Sequence, residues 1–186
     1  MKNIATIAVK LKLDGSVGVI PTDTIYGIVV RAEDHQAVER LYELKHRESK
    51  PGTLIAANIE QLESLGIKRR YLTAVAQYWP GPVSVIIPCA DPNLAYLHQG
   101  KMSLAVRLPK DQSLQDLLIK TGPLLTSSAN LPDQQPANTM AEAKNYFGSK
   151  IDFYIEGGDL SDHKPSTIIR IIDDAVEVVR QGAVII

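Results

Sequence analysis

Apolar residues at helical spacing alternate along the chain with short, fully apolar runs. Apolar positions three and four apart predict helices at residues 4–11, 38–42, 62–76 and 114–118, and after residue 139. The apolar runs predict strands at 17–20, 54–57, 83–87, 103–106, 124–125, 151–155, 167–172 and 176–179. This alternation favours an α/β fold with a mixed sheet, and the last two strands are expected to pair antiparallel.

Three predicted helices begin with residues that can cap them. Asp34 precedes the helix at 38–42, Asn58 with Gln61 resembles a capping pair, and Thr139 with Glu142 forms a capping box. With no repeat or shift in composition, we expect a single domain over residues 1–186.

Composition and charge narrow the class of protein. The chain has 186 residues, of which 45% are hydrophobic and 22% charged, with two Phe and one Trp, so aliphatic side chains must fill the core. A net charge of -1 gives no global field that would favour nucleic acid. Cys89 stands alone, which excludes an intrachain disulfide and fits a reducing compartment.

The N-terminal segment is interrupted by Lys10 and Lys12 and is too polar for a signal or membrane helix. We therefore expect a cytoplasmic protein without a membrane anchor. No metal-ligand spacing connects the histidines, which are expected at the surface and in no protein-bound metal site. They are His35, His46, His98 and His163.

Polar residues that interrupt strand ends are the candidates for chemistry, because ligands of α/β sheets gather at such loops. The turn at 22–27 follows a predicted strand and holds Thr22, Asp23, Thr24 and Tyr26. Two hydroxyls, a carboxylate and a phenol in one turn suit a ligand site. A turn whose polar side chains bond their own backbone explains the pattern equally well.

A cluster of cations follows the second helix. Lys45, Arg47 and Lys50 fall within six residues and could neutralise a polyphosphate. Cations at a helix C-terminus are also favoured for structural reasons, so a solvated charged end is the alternative.

Alternation places Ser103, Ala105 and Arg107 on one face of a strand, where Arg107 needs either a ligand anion or a protein carboxylate. In the segment 126–130, small hydroxyl residues could leave backbone N–H groups accessible to a phosphate. The prolines around Gly81 suit an architectural bend.

The ordered series PTDTIYG, KHRESKP, WPGPVS, AVRLP, SSAN, PSTII and VVRQG resembles the threonylcarbamoyl-AMP synthase family, the YrdC-like or TsaC-type proteins. The resemblance runs from about Gly15 to Gly182. It implies a YrdC-like twisted mixed β-sheet flanked by helices, with a large concave basic cavity.

The resemblance also implies roles for individual residues. Lys45, Arg47 and Lys50 are expected to act as the catalytic cations on the ATP phosphates, and Thr22, Arg107 and Ser166 to hold L-threonine. Further nucleotide contacts are implied for Ser103, Ser127, Ser128, Ala129, Asn130 and Arg180. Tyr26 would shape the pocket, and Asp23 would orient hydroxyls or assist the magnesium that accompanies ATP.

The implied reaction joins L-threonine, bicarbonate or CO2, and ATP into threonylcarbamoyl-AMP and pyrophosphate, for N6-threonylcarbamoyladenosine in tRNA. The implied partners are a downstream tRNA threonylcarbamoyl transferase complex and a possible tRNA contact. One alternative is a non-catalytic RNA-binding module of the same fold, marked by salt-dependent, ATP-independent binding. Another is a carbamoyl-adenylate enzyme acting on carbamoyl phosphate, as in hydrogenase maturation.

Three departures from the family pattern fall near the expected site. Ser84 replaces a common Thr, Glu48 stands where a proline often follows the Arg, and Leu131-Pro132-Asp133 replaces Leu-Ser-Gly.

Overall fold

The computed structural model describes residues 3–46, 50–173 and 175–186. Its helices are α1 (Ile4–Leu11), α2 (His35–Leu44), α3 (Ile59–Ser64), α4 (Arg69–Thr73), α5 (Ala95–His98), α6 (Gln112–Thr121) and α7 (Met140–Phe147). Its strands are β1 (Gly18–Pro21), β2 (Tyr26–Arg31), β3 (Thr53–Ile55), β4 (Val83–Pro88), β5 (Ser103–Arg107), β6 (Leu124–Ser128), β7 (Phe153–Tyr154), β8 (Thr167–Ile172) and β9 (Ala175–Arg180).

The strands form one nine-stranded mixed sheet in the order β7-β1-β2-β6-β3-β5-β4-β8-β9. Three pairs are parallel, namely β1 with β7, β3 with β5 and β4 with β8, and the other neighbours are antiparallel. The predicted α/β class, the mixed sheet and the antiparallel pairing of the last two strands are confirmed.

The two faces of the sheet are covered unequally. One face packs against α2, α3, α4, α5 and α7, with inward side chains such as Ile28, Leu54, Val85 and Val106. The opposite face packs against α1 and α6 only over β7, β1, β2, β6 and β3. The rest of this second face, over β5, β4, β8 and β9 and the neighbouring parts of β3 and β6, is left to form a cleft.

The predicted caps are confirmed. The side chains of Asp34, Asn58 and Thr139 each accept a hydrogen bond from a backbone N–H in the first turn of α2, α3 and α7. The N–H groups of Ala57 and Asn138, one residue before each cap, donate to the side-chain oxygens of Gln61 and Glu142.

Several elements differ from the pattern. The sequence pattern predicts no strand at β2, because its apolar run directly follows the polar turn, although Ile28, Val29 and Val30 are β-branched. The predicted helix at 62–76 is broken, because Gly66 adopts a φ of 105° between α3 and α4. Among the described residues, no helix is long and apolar enough to cross a membrane.

Candidate active site

The open part of the sheet face is a cleft of about 530 Å³. Its floor follows from the strand register, which aligns Thr126, Thr53, Ala105, Ile86 and Arg170 in one row across five strands. Because side chains on one face of a strand lie two residues apart, the neighbouring cleft residues flank this row on either side. Arg107 and Ile168 lie on one side, with the buried Ser84 between them in the sheet, and Ser103 and Ser128 lie on the other.

The turn between β1 and β2 is closed by its own side chains. The Thr22 hydroxyl donates to the Ile25 carbonyl at 2.7 Å and accepts from the N–H groups of Thr24 and Ile25 at 3.2 and 3.3 Å. For Thr22, the self-satisfied turn is therefore the arrangement found, and its hydroxyl still lines the cleft. Threonine binding by this residue stays a prediction.

Tyr26 fixes this turn to the segment after β7. Its hydroxyl accepts from the Gly157 N–H at 2.8 Å and donates to the Gly158 carbonyl at 2.9 Å. Burial, together with the nearby Glu156 carboxylate, raises the pKa of Tyr26 above its ordinary value. The phenol is thus kept neutral, and its position makes it a wall of the cleft.

Arg107 has a protein partner. Its Nη1 lies 2.6 and 2.7 Å from the two carboxylate oxygens of Asp23, and the two side chains are 3% and 11% exposed. The sequence allowed either a ligand anion or a protein carboxylate as the partner of Arg107, and the structure has the protein carboxylate. Asp23 is therefore positioned to compensate Arg107, and its guanidinium still lines the cleft.

A chain of polar contacts joins β4, β8 and β9. The hydroxyls of Ser84 and Ser166 lie 2.9 Å apart, and Arg180 Nη2 donates to the Ser166 carbonyl at 2.7 Å. Gly182 makes the close approach possible, because a Cβ there would lie 2.2 Å from the Pro165 carbonyl oxygen. Arg180 thus lies beside Ser166, one of the residues expected to hold threonine, and its contact with the nucleotide stays a prediction.

Lys45 is buried rather than solvated, with 1% of its surface exposed. Its Nζ donates to the Ser128 carbonyl at 2.7 Å, to Asn130 Oδ1 at 3.0 Å and to the Asn130 carbonyl. The solvated-helix-end reading is therefore wrong for Lys45, although it describes the exposed His46 and Lys50. Lys45 holds the loop after β6 in place, and its direct contact with phosphate stays a prediction.

The strand β6 runs further than predicted and includes Ser127 and Ser128. The expectation of accessible backbone N–H groups is wrong for Ala129 and Asn130, because these N–H groups donate to the carbonyls of Tyr26 and Ser128. The Ser128 hydroxyl donates to Asn130 Oδ1 at 2.6 Å, and the Ser127 hydroxyl is buried without a hydrogen-bond partner. Side chains, more than the backbone, are therefore what this segment offers a ligand.

A second, larger cavity of about 1220 Å³ is lined by residues that neighbour cleft residues in the chain, such as Lys50 next to Pro51. Lys45, Lys50 and Asn130 line it together with the acidic Glu39, Glu43 and Asp133. Its lining is thus of mixed charge, and one large basic cavity remains a prediction.

Most predicted site residues meet in these two neighbouring spaces. The cleft is lined by Thr22, Ser103, Arg107, Ser127, Ser128, Ser166 and Arg180. The larger cavity receives Lys45, Lys50 and Asn130, and the buried Ala129 links the two groups along the chain. Arg47 lies outside the described residues, as does Glu48.

Sequence reasoning missed the cleft residues Lys101 and Arg170. The sequence does contain an indication for Arg170, because this charged residue interrupts the apolar run of β8 two residues after Ile168 and so falls on the same face as Ile168. Lys101 lies in a turn, where the sequence has no periodicity that would indicate which way its side chain faces.

One histidine departs from the expected surface position. His98 is 4% exposed, and neither ring nitrogen has a hydrogen-bond partner. The other three histidines are exposed. Within the described residues, no group of three or more His, Cys, Asp or Glu side chains could hold a metal ion.

Comparison with known proteins identifies the family. The Sua5/YciO/YrdC family model, described as telomere recombination, matches residues 10–182. A threonylcarbamoyl-AMP synthase of Marinobacter nauticus is 33% identical over 165 residues, which cover 86% of this chain and 87% of that protein. A putative threonylcarbamoyl-AMP synthase of Methanocaldococcus jannaschii is 30% identical over 98% of this chain and 87% of its own length.

Solved structures agree with this match. Pyrococcus abyssi Sua5 complexed with L-threonine superposes with a TM-score of 0.83 at 27% identity, over 96% of this chain and 54% of that one. Escherichia coli YciO gives a TM-score of 0.80 at 25% identity, over 97% and 90%. The chain therefore belongs to the Sua5/YciO/YrdC family.

Proposed function

We propose that this chain is an L-threonylcarbamoyladenylate synthase, a nucleotidyltransferase that forms threonylcarbamoyl-AMP and pyrophosphate from L-threonine, bicarbonate or CO2, and ATP. The observation that carries the proposal is the single cleft on the open sheet face. It gathers side chains expected for the amino acid and for the nucleotide, although they come from five separate segments of the chain. The names of the relatives support the same activity.

The amino-acid end of the cleft is the side that holds Arg107 and Ser166. A guanidinium is suited to a carboxylate, and the Asp23 carboxylate now on Arg107 shows that this position accepts one. The hydroxyls of Thr22 and Ser166 offer further polar contacts to the amino acid. Asp23 would then share Arg107 with the substrate carboxylate or yield to it.

The nucleotide end is the side that holds Ser103 and Ser128. Beyond it lie Lys45 and Lys50, in the cavity that adjoins the cleft. Cations at this end would neutralise the triphosphate, and Arg47 is assigned to the same role from the sequence alone. Magnesium is expected as part of the MgATP substrate, held by the phosphates and water.

The chemistry requires two bond-forming steps. The threonine amine adds to CO2, or to bicarbonate with loss of water, and gives a carbamate. A carbamate oxygen then attacks the α-phosphorus, and the bond to the β-phosphate oxygen breaks to release pyrophosphate. The protein would act by alignment and by neutralising charge, so no covalent intermediate on the enzyme is needed.

The product is a mixed anhydride and must be passed to an acceptor. We propose that a tRNA threonylcarbamoyl transferase complex uses it to modify adenosine in tRNA, in the cytoplasm. Direct contact of this chain with tRNA is a separate proposal, which a binding measurement with tRNA in the absence of ATP would test.

Pyrophosphate release tests the proposal. Purified protein with MgATP and bicarbonate is expected to release pyrophosphate with L-threonine and much less with serine, valine or no amino acid. Lys50→Ala is expected to lower the rate more than tenfold, because charge-assisted contacts to phosphate are lost. RNA binding that is independent of ATP, with no threonine-dependent release, would favour the RNA-binding module instead.

A further inference from the structure

The cleft is lined by four cations, and three of them have partners. Arg107 contacts Asp23, Arg170 contacts Glu177 at 2.7 Å, and Arg180 donates to Ser166. The fourth is Lys101, whose ammonium makes no hydrogen bond or ion pair with any described residue. Its charge is therefore available to an anion that enters the cleft.

The turn that carries Lys101 has an unusual backbone. Gln99, Gly100 and Met102 all adopt positive φ values, of 51°, 76° and 53°. Such values are uncommon for residues other than glycine, and they persist where the surrounding structure holds them. The Lys101 N–H donates to the His98 carbonyl at 2.9 Å, and the Cys89 N–H donates to the Met102 carbonyl at 2.8 Å. These bonds hold both ends of the turn and so the position of the Lys101 backbone at the mouth of the cleft.

The position of the turn identifies the end of the cleft that Lys101 serves. Lys101 lies just before β5, in which about 13 Å of strand separates the first residue, Ser103, from the last, Arg107. Because β3 and β5 are parallel with Thr53 opposite Ala105, Lys50 and Lys101 approach from the same end of the sheet.

The same turn also borders the adjoining cavity. Gln99 lines the larger cavity and Lys101 lines the cleft. In the same way, Lys50 lines the larger cavity and the next residue, Pro51, lines the cleft. Asn130 lines the larger cavity and Ser128 lines the cleft. The junction of the two spaces is thus bordered by all three segments.

We infer that Lys101 binds the phosphate chain of the nucleotide at the end of the cleft that holds Ser103 and Ser128, and retains the pyrophosphate as it leaves. This inference rests on the proposed function for its substrate, while the ligand chemistry it requires is only a polyphosphate anion. An ammonium is suited to a phosphate chain, because it is a compact point charge and, unlike a guanidinium, does not require the phosphate oxygens to lie in one plane. Lys101 would act with Lys50 across the junction.

The test compares Lys101→Ala, Lys101→Arg and the control Lys110→Ala. Lys110 is an exposed lysine between β5 and α6 that lines neither space, so its loss removes the same charge from the chain. With the synthase assay, Lys101→Ala is expected to raise the KM for ATP about tenfold and leave the KM for threonine unchanged. Lys101→Arg is expected to recover most of the loss, and Lys110→Ala to match the parent.

Binding of inorganic tripolyphosphate, measured by calorimetry, gives a readout that does not depend on catalysis. The expected result is about tenfold weaker binding by Lys101→Ala than by the parent and by Lys110→Ala. If the parent shows no threonine-dependent activity, the proposed function fails while this result still supports the phosphate contact. Equal tripolyphosphate binding by Lys101→Ala and the parent, or an equal rise in the KM for both substrates, would overturn the inference.

Discussion

Asp23 and Arg107 form a close ion pair across the cleft, with both carboxylate oxygens within 2.7 Å of one guanidinium nitrogen. The pair joins the turn after β1 to the end of β5, two segments that lie 84 residues apart in the chain. It therefore fixes the turn that carries Thr22 over the open sheet face. A substrate carboxylate that approaches Arg107 must compete with Asp23.

Asp23→Asn is expected to lower the free energy of unfolding by about 3 kcal/mol, because Arg107 keeps its charge in a buried place. The KM for threonine is expected to fall, since the substrate carboxylate no longer competes with Asp23. Urea unfolding and the synthase assay measure the two effects. Asp162→Asn removes an exposed carboxylate elsewhere and is the matched control. Parent-like stability of Asp23→Asn would show that the pair contributes little.

Lys45→Met is expected to destabilise the fold by about 2 kcal/mol or more, because the carbonyls of Ser128 and Asn130 lose a charged donor. The loop after β6 would then be less ordered. Hydrogen exchange at Ala129 and Asn130 should become faster, and the KM for ATP should rise. Lys68→Met, on an exposed lysine before α4, controls for the loss of charge. Slow exchange retained in Lys45→Met would contradict the anchoring role.

Gly182→Ala is expected to disturb the contact between β9 and the segment before β8. The added Cβ would lie 2.2 Å from the Pro165 carbonyl oxygen and 2.6 Å from that of Ser166, so backbone must move. We expect a lower melting temperature and a loss of activity, because Arg180 would be displaced from Ser166. Gly81→Ala is the control, as its nearest contact is 3.4 Å. Equal melting temperatures for the two variants would count against this account.

The Asp152 carboxylate gives the stability a pH dependence. Burial tends to raise its pKa, but the Arg40 guanidinium and the Val17 N–H outweigh burial, and the pKa lies below its ordinary value. A lowered pKa stabilises the fold at pH values above the unfolded pKa of about 3.9, and the stabilisation is lost as the pH falls through the folded pKa.

Asp152→Asn is therefore expected to cost about 1 kcal/mol at neutral pH, a small amount because both side chains are partly exposed. Thermal unfolding of the parent and the variant should converge in acid. A difference that stays constant down to pH values below the folded pKa would contradict this assignment.

Much of the fold was accessible from the sequence because its signals are local. The caps at Asp34 and Thr139 and the apolar runs of β4 and β8 need only near neighbours to be recognised. By contrast, β2 follows a polar turn without a break, and its apolar run alone does not fix where the strand begins.

The site was accessible in part for the same reason. Alternation correctly placed Ser103, Ala105 and Arg107 on one face, because a strand has a fixed period. The partner of Arg107 and the burial of Lys45 depend on segments more than 80 residues away. Periodicity carries no information about such contacts, and for the same reason it could not direct attention to Lys101.

The most direct test of the central claim follows the carbon of bicarbonate into the nucleotide product. Purified protein would be incubated with MgATP, L-threonine and 13C-labelled bicarbonate, and the products separated and identified by mass spectrometry. The account predicts threonylcarbamoyl-AMP that carries the label, formed together with pyrophosphate and only when threonine is present. An adenylate without the label, or no threonine-dependent product from well-folded protein, would contradict it.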